Sequence, residues 1–152
     1  MEFFANKMIW SAFWAMVIAQ ILKVVIILIF ERRIDLQRIK ETGGMPSSHS
    51  ATVAALTTTC GILYGVGSPS FAICIVFGSL VIHDATGVRR AAGEHAVILN
   101  NLVAELSHLL EEGKNEKALK TLLGHTYPQV LAGTILGVIV GFLFSGLPEF
   151  SF

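Results

Sequence analysis

Four stretches of this chain are rich in apolar or small residues over the length of a helix, and its polar residues gather between them. Residues 8–30 (MIWSAFWAMVIAQILKVVIILIF) carry a single charge, Lys23, and are long enough to cross a hydrocarbon core of roughly 30 Å. Residues 49–65 are rich in Ala, Thr and Gly, residues 68–85 are apolar again, and the uncharged GVGSPS joins them, which predicts a hairpin of two membrane helices. Residues 127–145 form a fourth span. Between the third and fourth spans the period changes: Leu99, Leu102, Val103, Leu106, Leu109 and Leu110 recur at helical spacing, with Asn100, Glu105, His108 and Glu112 among the polar positions. This predicts an amphipathic helical insertion over 87–124, outside the membrane core, with a first helix ended by Gly113 and a short second one in KNEKALKTLL. The fold class is all-α: one membrane domain over 1–152, an integral membrane helical bundle of about four transmembrane helices plus cytoplasmic amphipathic helices.

Composition sharpens this reading. Of 152 residues, 53% are hydrophobic and only 14% are charged, against about a quarter charged in a soluble domain. The net charge is zero, so no nucleic-acid partner is expected, and the placement of the charges carries the information. The first apolar run exceeds the h-region of a cleavable signal peptide and is expected to remain a helix. Cys60 and Cys74 both lie in apolar runs and are read as small buried hydrophobes without a disulfide. Arg32, Arg33, Arg38 and Lys40 follow the first span, and Arg89, Arg90, Lys114, Lys117 and Lys120 follow the third, whereas the hairpin between them is uncharged. The positive-inside rule then places both basic loops in the cytoplasm and both termini outside.

With that topology, three polar constellations meet at the cytoplasmic surface. Pro46, Ser47, Ser48, His49 and Ser50 open the second span; as a helix start they offer unpaired N–H groups to an anion, although a capped helix would use the same residues. His83, Asp84, Arg89 and Arg90 stand at the end of the third span, where the arginines suit either head-group anchoring or phosphate, and Asp84 needs a partner. His125 and Gln129, four apart at the start of the fourth span, share a face with Gly133, Gly137, Gly141 and Ser145, a small-residue stripe that lets helices approach closely, within the chain or in a homodimer. Lys23 and Gln20 share a face of the first span, where the lysine either snorkels to the surface or reaches into the site. Histidines, cations and helix starts on one surface suit phosphoryl transfer, in which one imidazole attacks phosphorus and another protonates the leaving oxygen. Metal ligation by His49, His83, His95, His125 and Asp84 is the competing chemistry, but their spacings match no zinc pattern and no metal is expected.

The residues carrying this chemistry resemble a known family. PSSH (46–49) resembles the PSGH motif of the type 2 phosphatidic acid phosphatase and vanadium haloperoxidase superfamily, and GHTYPQVLAG (124–133) resembles the end of its third motif. GGMPSSHSA, DATGVRRAAG and LGHTYPQVLAG together are similar to its divergent branch. The resemblance covers about residues 15–142. It implies a lipid phosphate substrate among the membrane lipids, no cofactor or metal, and a place in the bacterial cytoplasmic membrane. It also implies His125 as a nucleophile forming a phosphohistidine, His49 as general acid, and Ser47 and Ser48 as holders of phosphate oxygens. Three departures are plain: the Lys and Arg-Pro of the first motif are absent, Ala118-Leu119 replaces the Ser-Arg expected six residues before the nucleophile, and Gln129 stands where the superfamily has an acid. Arg89 and Arg90 are the candidates for the missing clamp, with Lys23 and Gln129 as further phosphate contacts, and Asp84, ahead of Glu94, for the missing carboxylate. Two functions follow, a lipid phosphate or diphosphate phosphatase and a non-catalytic lipid-phosphate binder or transporter; a metal-dependent hydrolase is third.

Overall fold

The structure is a computed structural model that describes residues 5–32, 44–110, 119, 121 and 123–147. Its regular elements are α1 (Lys7–Glu31), α2 (Ser48–Tyr64), α3 (Pro69–Thr86), α4 (Val88–Leu110) and α5 (Tyr127–Gly146). The boundaries follow local chemistry. Asn6 caps α1, its side chain accepting from the Met8 and Ile9 amides. Ser68 caps α3, accepting from Phe71 N–H at 3.2 Å, with Pro69 in the first turn, where its missing donor costs nothing. Arg33, Arg38, Lys40, Gly113, Lys114, Lys117 and Lys120 lie outside the described residues.

Among the described residues, three stretches are long and apolar enough to cross a membrane: Lys7–Ile29, Pro69–Leu106 and Tyr127–Gly146. The second, at 38 residues across α3 and α4, would measure about 57 Å as one rod, nearly twice the hydrocarbon thickness, so only part of it can cross. The 17-residue α2 is shorter and more polar. It is the centre of the bundle, packed against α1, α3 and α5, and small residues make that possible. Ala51 and Ala55 are buried completely, as are Ala15 and Ala19 of α1. On α5 the glycine stripe faces α2: a Cβ at Gly133 would strike the Ser47 carbonyl, one at Gly137 the Ala51 carbonyl, and one at Gly141 would lie 2.7 Å from Thr58 Cβ. Thr59 donates to Ser11 Oγ at 2.9 Å and lies 3.3 Å from the Gly141 carbonyl, joining three helices by polar contacts.

The insertion departs from expectation after α4. Leu119, Thr121 and Leu123, the described residues of the predicted second helix, are not helical. They run back along α4 instead. Asn100 holds both backbone groups of Leu119, accepting from its N–H at 2.9 Å and donating to its carbonyl at 3.0 Å. Gly93 leaves room for the Thr121 and Leu123 carbonyls, Gly124 (φ 81°) lies on the backbone of Arg90, and His125 N–H donates to the Ala85 carbonyl at 2.9 Å. The described residues of this return step back along α4 from Asn100 to Arg90. They deliver His125 to the end of α3.

Candidate active site

The site begins with two helix starts tied together. Ser47 caps α2, its Oγ accepting from Ser50 N–H at 3.3 Å and Ser50 Oγ at 3.0 Å, while its own N–H donates to the Gln129 carbonyl of α5 at 3.0 Å. That amide is therefore committed to helix pairing. The anion-facing donors left at this end are the Ser48 and His49 N–H groups, which have no acceptor within the helix. Ser47 and Ser50 are fully buried and Ser48 nearly so. Because the glycine stripe holds α5 close to α2, the two histidine rings stand edge to face with centroids 5.8 Å apart.

Gln129 determines which nitrogen of His125 carries the proton. Its Oε1 accepts the Thr126 backbone N–H at 3.0 Å, an unambiguous donor, so this atom is the carbonyl oxygen. The same oxygen lies 3.3 Å from His125 Nδ1, which must then be the protonated nitrogen. Nε2 is left with its lone pair. Burial pushes the His125 pKa down to about 4, against the hydrogen bond to Gln129, so the ring is neutral at pH 7 and Nε2 is a nucleophile without further deprotonation. His125 Nε2 and His49 Nδ1 are both buried without a hydrogen-bond partner among the described residues. Two such atoms on neighbouring rings are what a bound polar ligand would satisfy.

Lys23 resolves its two readings inward. It is 2% exposed, its stem lies beside Gly44, and its charge acts on both His49 and His125. Gly44 has φ 98°, a backbone shape that favours glycine. Gln20, on the same face of α1, has a buried Oε1 without a partner among the described residues.

The charged end of α3 gives Asp84 an arginine partner but not the role expected of it. Asp84 does not take the vacant acid position beside His125: its carboxylate bonds Arg89 Nε, and both side chains are nearly half exposed. The physical reason is proximity, since Arg89 opens α4 immediately beyond the end of α3. Arg89 and Asp84 both act electrostatically on His49, so the pair borders the site. Arg90 turns to Glu94 at 3.2 Å, an i,i+4 pair on the exposed face of α4. His83 and His95 are exposed, and no group of three or more His, Cys, Asp or Glu residues suited to a metal ion occurs among the described residues. Sequence reasoning placed Ser50 at the helix start without a role, which is to support the Ser47 cap through its hydroxyl, and missed Gly44, for which the Gly-Gly before Pro46 was the available signal.

The chain is similar to known proteins over most of its length. The profile of the Divergent PAP2 family matches residues 4–140. The chain is 39% identical over 149 residues to the "Uncharacterized membrane protein YuiD" of Bacillus subtilis (strain 168), covering 92% of this chain and 94% of that protein. No solved structure matches. With its three long apolar helices, the chain is a membrane protein.

Proposed function

Because the chain belongs to the divergent PAP2 family, we propose that it is a membrane-embedded phosphatase of lipid phosphates or diphosphates that works through a phosphohistidine on His125. The observation that carries this reading is the pair of buried nitrogens without a partner among the described residues, His125 Nε2 and His49 Nδ1, on rings 5.8 Å apart beside the buried Lys23. In the first step Nε2 attacks phosphorus, the bond from phosphorus to the lipid oxygen breaks, and protonated His49 gives its proton to that oxygen. In the second, His49 takes a proton from water, the hydroxide oxygen bonds phosphorus, and the bond to Nε2 breaks, returning the lone pair. The Nδ1 proton stays with Gln129 throughout. Lys23, the free N–H groups at the start of α2 and Arg89 neutralise the phosphate oxygens, work the first-motif cations would do elsewhere in the superfamily. In this reading α2 is a fourth span and the site faces the cytoplasm of a bacterial cell.

The test is phosphate release from a panel of lipid phosphates by the purified protein, with trapping of labelled phosphate on the chain. His125→Ala is expected to lower turnover by about a thousandfold or more and to abolish trapping; full turnover in that variant rejects the mechanism. A second reading, a lipid-phosphate binder without turnover, is favoured by one feature, the neutral Gln129 where an acid would stabilise the imidazolium of the transition state. It predicts saturable binding with no release by the wild type.

A further inference from the structure

A cavity of about 320 Å³ lies between α2, α3 and α5, away from the polar site. Its walls include Val53, Phe71, Ile75, Gly78, Ile82 and Thr134. We infer that this groove seats a single hydrocarbon chain of the phosphate-bearing lipid, so that the protein selects single-chain over two-chain lipid phosphates. The inference rests on the lipid-phosphate reading of the site and deepens it.

Continuity with the histidine site carries the argument. Val53 follows His49 by one helical turn, Ile82 precedes Ala85, whose carbonyl anchors His125, and Thr134 lies just over a turn beyond Gln129. These steps are about 5 to 8 Å of helix. One end of the groove therefore lies about one helical turn from the residues that would hold phosphate, and the other reaches Phe71, whose ring lies over Gly61. Phe71 to Ile82 spans about 16 Å along α3.

Volume sets the number of chains. A methylene occupies roughly the space of one water, about 30 Å³, so the cavity holds about ten carbons, one chain segment and not two. Gly78 gives the groove its width: it is buried, and a Cβ there would meet Val53 at 3.5 Å, ordinary contact. Alanine at 78 is accommodated, and a larger side chain must project into the groove.

The test uses the whole protein in lipid nanodiscs and a long-chain alkyl phosphate with a photoreactive diazirine near the tail end. Mapped crosslinks are expected at the buried groove residues Val53 and Gly78. Yield should fall at least fivefold in Gly78→Leu and in Thr134→Phe, which plug the groove from opposite walls, and stay near wild type in Gly78→Ala. Excess unlabelled alkyl phosphate should compete, and two-chain phosphatidic acid should compete at least tenfold less well. Crosslinks spread over exposed positions such as Ile73 and Val76, plugging variants that label like wild type, or equal competition by phosphatidic acid would each overturn the inference. Labelling reads seating and not turnover. Groove labelling without phosphate release would thus reject the phosphatase and keep the groove, whereas release without groove labelling would do the reverse.

Discussion

Gln129 uses one oxygen to start α5 and to orient His125, and being neutral it cannot stabilise a positive imidazole as a carboxylate would. Gln129→Glu supplies that charge. Phosphate release is expected to rise about tenfold, in the direction set by the large losses seen when a triad Asp is made neutral. The same change should raise the His125 pKa from about 4, moving the acid limb of the pH–rate profile upward by a unit or more. A rate and limb identical to wild type would mean that charge at 129 is not limiting. The wild-type limb has a definite sign. Protonation of Nε2 removes the nucleophile, so the rate should collapse as pH falls through about 4. Stability follows the same group: its folded pKa lies below the usual 6.5, so its contribution is complete above pH 6.5 and is lost as pH falls through about 4. Thermal unfolding of wild type and His125→Gln across that range measures it, and the acid-side slope should be shallower in the variant.

Among the elements, the contact between α2 and α5 does most to build the site, because it joins two helix starts and brings the histidines together. It depends on the absence of side chains. A Cβ at Gly137 would collide with the Ala51 carbonyl and lie 2.7 Å from Ala54 Cβ, and backbone cannot yield as a flexible side chain can. Gly137→Val is expected to cost about 1 to 3 kcal/mol or more, lowering the unfolding temperature measured by thermal shift in detergent. It should also lower turnover by separating His49 from His125. Gly146, which has open space around its missing Cβ, is the control: Gly146→Ala should leave both quantities unchanged.

At the scale of the molecule, the arrangement to be tested is four crossings with both ends outside. In a chain with Cys60 and Cys74 replaced by Ser, Ala5→Cys and Val66→Cys are expected to react with a membrane-impermeant maleimide in intact cells. Val88→Cys, at an exposed position, should react only after permeabilisation. The opposite pattern would turn the site outward, and Ala5 and Val66 reacting from different sides would remove α2 as a crossing. The exposed apolar surface of α1, α3 and α5, including Ile29, Ile73, Phe77 and Leu143, fits lipid as the solvent of those faces.

Hydropathy and spacing determined by themselves that this is a helical membrane protein, because a long apolar run has few other stable fates. They also determined that His125, Gln129 and the α5 glycines share one packed face, because a four-residue interval is a property of any helix. Motif residues likewise marked His49 and His125 in advance. Only the tertiary structure decided the rest, since those outcomes depend on which groups meet across the bundle. Lys23 turned inward because Gly44 leaves space for its stem. Asp84 bonded Arg89 and left His125 to Gln129, and Ser47 gave its amide to α5. Leu119, Thr121 and Leu123, expected in a second helix, lie along α4 at Asn100 and Gly93 instead, because backbone groups that find partners on a neighbouring helix have no need of a helix of their own.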